Sequence, residues 1–144
     1  VNSQPSAKAP LEDLKVPVKL KLAGLWTSLM FLYIYVDYFG LYQPGNLQDM
    51  LKGNIGPLGP ATQGVLLGTS LLMAVPSLMI FLSLVMRPML SRVLNIFLGL
   101  VYAIIMLVTM PGAWTFYLVI GAIEIALSLL IVWHAWKWPR LATG

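Results

Sequence analysis

The sequence predicts an all-α protein, an integral-membrane antiparallel four-helix bundle with both termini in the cytoplasm, and three observations carry that prediction. First, 59% of the chain is hydrophobic and only 10% charged, where an average soluble domain has roughly 45–50% and 25%. Mean hydropathy is +0.84. Second, the apolar residues gather in four runs of about 20, the length that crosses a hydrocarbon core. Third, the basic residues fall almost entirely on one side of those runs. In hydrocarbon a backbone group has no water partner, so runs this long and continuous are helical. A water-soluble globule and a disordered chain are excluded, and a chain with no cysteine builds no disulfide or thiolate-metal scaffold.

Residues 1–18 read as a polar cytoplasmic tail, interrupted by Pro5, Pro10 and Pro17, with a short turn around Leu11 to Leu14. It is no secretory signal, because the apolar stretch that follows is too long and lacks a small-residue cleavage site. Residues 19–139 form the four-helix domain, with spans at about 20–42, 62–86, 93–110 and 113–136, and residues 140–144 end the chain in the cytoplasm. The first link is rich in Gly and Pro. Asn46 stands as an N-cap before Leu47, Met50 and Leu51, and Gly53 as a stop, which predicts a two-turn amphipathic segment at the membrane surface. The second link is the short Arg87 to Arg92, and the third is the tight Pro111-Gly112 turn, which makes the last two helices neighbours.

Lys8, Lys15, Lys19, Lys21, Arg87, Arg92, Lys137 and Arg140 lie on one side of the spans and Lys52 alone on the other. This asymmetry puts the richer side in the cytoplasm. Trp133, Trp136 and Trp138 then form a belt at the cytoplasmic interface, from which Lys137 snorkels, and Tyr38, Tyr42 and Trp114 anchor the opposite one. The nine basic residues make no stripe with interleaved aromatics, so nucleic acid is not a partner. The expected partners are the lipid bilayer and either further copies of the chain or other membrane subunits.

Each apolar helix carries a more polar stripe: Trp26, Met30, Tyr33 and Asp37; Gln63, Ser70, Ala74 and Ser77; Asn95, Gly99, Tyr102 and Thr109; and Tyr117, Gly121, Glu124 and Ser128. Small residues let backbones approach and hydroxyls and amides bridge helices, so packing accounts for most of these positions. Gly64 and Gly68 form a separate GxxxG pair, read either as a dimer seam or as chance. The two acids need more. A carboxylate at a helix centre costs about 2.5–3.5 kcal/mol on insertion scales, so each faces the interior. A rise of about 1.5 Å per residue puts Glu124 near the midplane and Asp37 some 10 Å higher, near the outer interface. Two hydrogen-bonded centres follow: Glu124 with Tyr102, Asn95 and Ser70 at the midplane, and Asp37 with Tyr117 and Gln63 outside. Glu124 is either a working acid or a strut bonded to Tyr102. Pro76 frees the carbonyl of Leu72 and is a candidate hinge. His134, without Asp, Glu or Cys at ligand spacing, is no metal site but a candidate ligand contact. No phosphate loop, HExxH or Ser/His/Asp set is present. Nothing in the sequence names a cofactor.

The run KLAGLWTSLMFLYIYVDYFGLYQPG, the segment VLNIFLGLVYAI and the ending IEIALSLLIVWHAWKWP resemble a family of unknown function made of small four-span bacterial membrane proteins. The likeness covers most of residues 19–139 and includes Asp37, Asn95, Glu124 and the tryptophan-rich end. It implies a four-span fold in a bacterial inner membrane and no particular reaction. In outline the layout is also similar to DoxX-like proteins and, more weakly, to small multidrug transporters, which are shorter and carry their essential acid in the first helix. Three functions are therefore expected: first, a non-catalytic accessory or structural subunit of a membrane complex or homo-oligomer; alternatively, a proton-coupled small transporter using Glu124; or a binder of a lipid-soluble ligand such as a quinone or pigment. An enzyme is the weaker expectation.

Overall fold

A computed structural model of the protein describes residues 13–139. Within them are five α-helices: α1 (Val18–Gly40), α2 (Asn46–Leu51), α3 (Gln63–Val85), α4 (Pro88–Thr109) and α5 (Thr115–Trp136). A single 3-10 turn, Gly56–Leu58, lies between α2 and α3. Four of the helices are long and apolar enough to cross a membrane. Lys8 and Arg140 fall outside the described residues. So does part of the turn expected at Leu11 to Leu14, and Asp13 to Pro17 form no turn.

The ends of the helices follow from local chemistry. Thr62 caps α3 by accepting a hydrogen bond from the Val65 amide at 3.2 Å. The third span begins earlier than its apolar run suggests. Pro88 occupies the first helical position, where its missing N–H would have no intrahelical partner anyway. The second link therefore shrinks to Met86 and Arg87, and Ser91 and Arg92 become helical. Asn46 does not cap α2. Gly45, at φ 87°, is the N-cap, and the Asn46 side chain instead donates to the Gly40 carbonyl at 2.8 Å, closing the end of α1. Gly53, at φ 82°, stops α2 as its position implies.

Around the structure the order is α3, α1, α5, α4: α1 packs on α3 and α5, α4 packs on α5, and α4 meets α3 more lightly. Two cations fix which ends lie together. Lys19, in the first turn of α1, donates to the Leu84 and Met86 carbonyls at 2.9 and 2.7 Å. Arg92, early in α4, donates to the Trp136 carbonyl at 3.3 Å. Each basic group thus meets the open carbonyls and negative dipole end of a neighbouring helix, a favourable pairing. Lys137 extends over the Trp133 ring, 3.8 Å from its centre.

The core is built from Leu22, Trp26, Leu29 and Tyr33 of α1, Met79 of α3, Tyr102 of α4, and Ile131 and Ala135 of α5. Large apolar side chains of all four long helices, such as Phe31, Leu71, Phe97 and Leu130, point outward.

Candidate functional site

The first polar group lies toward the basic end and is fully satisfied. Asn95 Oδ1 accepts from Trp26 Nε1 at 2.7 Å and from Ser83 Oγ at 3.3 Å. Its Nδ2 donates to the Ser91 carbonyl at 2.8 Å and to Ser91 Oγ at 3.3 Å, while Ser91 Oγ donates to the Ser83 carbonyl at 3.4 Å. All four side chains are buried, and together they tie α1, α3 and α4. Asn95 was expected beside Glu124; it serves this separate network instead. Sequence reasoning missed Ser83 and Ser91, one assigned to no stripe and the other placed in a link. Their spacing before and after the tight α3–α4 connection was the available signal.

The second group forms around Pro76, which is buried inside α3. A proline at that position leaves the carbonyl four residues earlier without its helical donor. That carbonyl belongs to Leu72, and it accepts the hydroxyl of Tyr102 from α4. Ser77 adds a local bond to the Met73 carbonyl at 2.9 Å. The Tyr102 ring stands edge-on to Trp26, 5.9 Å between centres, and 6.3 Å from Tyr33. The phenol expected to bond Glu124 is therefore committed elsewhere.

Glu124 is 1% exposed, and neither carboxyl oxygen has a hydrogen-bond partner among the described residues. One turn along α5, Ser128 Oγ is buried and unpartnered as well. Burying an unbonded polar group costs free energy, and a charged one far more. The helix packed against α5 on one side is α1, which carries Tyr33 and Asp37.

The outer centre does not assemble as expected. Asp37 is exposed, and the half-buried Tyr117 donates to Thr109 Oγ1 at 3.0 Å. Gln63 and Ser70 both lie exposed on α3, so neither joins a centre in the core. The height ruler carried no information on which way α3 is turned. The buried positions of that helix are Pro76, Met79 and Ser83. His134 is half-buried in the last turn of α5, where a basic group suits the helix dipole. At the end away from the basic residues, a groove of about 580 Å³ opens between the last turn of α1 and the first of α5, lined by Phe39, Tyr42, Gln43, Trp114, Phe116 and Ile120. Among the described residues no three His, Asp or Glu side chains come together to hold a metal.

Residues 15–143 match the model of a family of unknown function, DUF6326. No curated protein and no solved structure matches the chain.

Proposed function

The chain belongs to that family of unknown function, and on this premise we propose that it is a four-span membrane protein that couples proton binding at Glu124 to the movement of a small lipophilic or cationic substrate. Its helices run antiparallel through the bilayer, with the basic end in the cytoplasm. The positive-inside asymmetry supports that orientation, as do the exposed apolar faces of all four long helices. The observation that carries the proposal is the buried, unpartnered Glu124 carboxyl. A strut would be hydrogen-bonded, and the phenol available for the purpose bonds Leu72 instead. In a low-dielectric interior a carboxyl is tolerable as a neutral acid or as a carboxylate paired with a cation, whereas the bare ion is penalised. Those two tolerable states are the two loads of an exchanger. Pro76, bridged by one reversible bond to α4, supplies a point at which α3 bends.

The test uses liposomes carrying a pH gradient, with the lipophilic cation ethidium as probe. Wild type accumulates the probe and Glu124→Gln does not, while both remain monodisperse. If neither form moves ethidium and Glu124→Gln is less stable, Glu124 is a strut and the accessory-subunit reading stands in its place. Native mass spectrometry from native membranes then identifies the subunits it accompanies.

The groove beside Tyr42 and Trp114 favours a second reading, binding of a lipid-soluble ring compound such as a quinone. Its apolar aromatic walls suit stacking, and the Gln43 amide at its rim suits a carbonyl. Ligand absorbance that copurifies with wild type and is lost in Trp114→Ala supports it; protein without copurified ligand removes it.

A further inference from the structure

Glu124 lies in a core that is sealed in one direction and graded in the other. Toward the basic end come Leu29, Trp26 and Leu22 of α1, Met79 of α3, and Ile131 and Ala135 of α5, none more than 2% exposed. The Asn95 amide at that level has all its partners. Beyond Ser128, no buried side-chain polar atom of the described residues stands unpartnered in that direction. A proton moving this way meets close-packed hydrocarbon and a closed hydrogen-bond network.

Toward the opposite end the surroundings change residue by residue. At about 1.5 Å per residue, Glu124 is roughly 14 Å from the Thr115 end of α5, while Tyr33 and Asp37 are roughly 10 and 5 Å from the Gly40 end of α1. Tyr33 is 8% exposed, and Asp37, one turn further on the same helix, is not covered by protein. The titratable groups gathered here are Tyr33 and Asp37 of α1, Tyr102 of α4 against the Tyr33 ring, and Tyr117 of α5 itself. Helix α3 contributes none, since its sequence from Gln63 to Val85 contains no ionisable side chain. Asp37 is therefore the one carboxyl between Glu124 and that face.

We propose that Asp37 is the outer proton station for Glu124, so that the midplane acid exchanges protons with the face opposite the basic end. This deepens the reading of Glu124 as a working acid and rests on it. The transfer balances with water as the only co-reactant. A hydronium at the surface protonates the Asp37 carboxylate and leaves water. The Asp37 O–H then breaks as its proton passes along water entering past Tyr33, and an O–H forms on the Glu124 carboxylate. Asp37, ionised again, takes the next proton from bulk. The reverse sequence discharges Glu124 to the same side.

The experiment follows the protonated-carboxyl infrared band of Glu124 after a light-triggered pH jump, using the full chain in phosphatidylcholine vesicles. The band is assigned as the one missing from Glu124→Gln. In Asp37→Asn its equilibrium change with pH is expected to persist while its relaxation slows about a hundredfold, the low end of what a positioned proton donor contributes. Asp37→Glu, which keeps a carboxyl at the station, is expected to relax within a few-fold of wild type. Equal relaxation in wild type and Asp37→Asn overturns the proposal while leaving Glu124 a titrating acid. Equal slowing in Asp37→Glu and Asp37→Asn also overturns it, because the effect is then one of structure. Absence of any pH-responsive band lost in Glu124→Gln instead defeats the underlying reading of Glu124.

Discussion

Adding one methyl group at Gly99 tests how closely α4 and α5 are built to approach. The new carbon would lie 2.9 Å from Val132 Cγ2, 3.1 Å from the Ser128 carbonyl oxygen and 3.4 Å from Ile131 Cγ2. Carbon contacts are comfortable near 3.5–4.0 Å, so something must yield. A β-branched valine on a helix has one strongly preferred rotamer, and the Ser128 carbonyl is part of the α5 backbone. The helices themselves must move apart. Overpacking of this kind costs about 1–3 kcal/mol, against which alanine recovers about 1 kcal/mol of helix propensity, leaving a net loss of about 0–2 kcal/mol. Equilibrium unfolding in mixed micelles, followed by tryptophan fluorescence, measures it. Two controls separate packing from propensity. Gly68→Ala meets nothing within 4 Å, so it should be neutral or stabilising by up to about 1 kcal/mol. Gly121→Ala meets the free end of Met106 at 2.8 Å, and because a methionine can swing aside its cost should be smaller than that of Gly99→Ala. A Gly99→Ala variant as stable as Gly68→Ala refutes the reasoning, because the propensity gain is common to both and only the first has an obstruction.

Other perturbations read the remaining contacts. Tyr102→Phe should cost about 1–3 kcal/mol by leaving the Leu72 carbonyl unbonded, and the loss should shrink in a Pro76→Ala background, where the helix supplies its own N–H; a double-mutant cycle on unfolding free energies measures that coupling. Asn95→Leu strands the Trp26 indole N–H and the Ser83 hydroxyl, so a loss of at least about 1 kcal/mol should accompany a changed near-ultraviolet signal from Trp26. Lys19→Met removes the cation at the end of α3 and should cost about 0.5–1 kcal/mol in the same unfolding assay. Outside the helices, the Tyr42 hydroxyl lies 2.9 Å from that of Tyr38, and as donor in this bond it is held above its ordinary range; ultraviolet titration of Tyr38→Phe should show Tyr42 ionising at lower pH than in wild type.

The helices and several inward positions were legible in the sequence because four long apolar runs, divided by Gly- and Pro-bearing links, carry a helical spacing of their few polar residues. On α4 and α5, the stripe residues Asn95, Gly99, Tyr102, Gly121, Glu124 and Ser128 are all buried. On α3 the same reasoning chose the wrong side. Gln63, Ser70 and Ser77 are exposed; Ser77 bonds the Met73 carbonyl of its own helix, and a hydroxyl so satisfied does not need to face inward. Partners were harder to read than burial. Spacing placed Tyr102 near the level of Glu124, but its hydroxyl bonds the carbonyl released by Pro76. Helix ends followed capping chemistry, so Pro88 began α4 well before its apolar run became continuous.

The Tyr102 bond to Leu72 has a further consequence in biogenesis. A chain that folds as it is made forms α3 before α4 exists, and during that interval the Leu72 carbonyl lacks the Tyr102 hydroxyl. The completing hydroxyl arrives 30 residues later, across a connection of only Met86 and Arg87. So this backbone acceptor of α3 is filled only once α4 is in place. The proline thereby makes the finished state of α3 depend on α4, although the two helices otherwise meet only lightly.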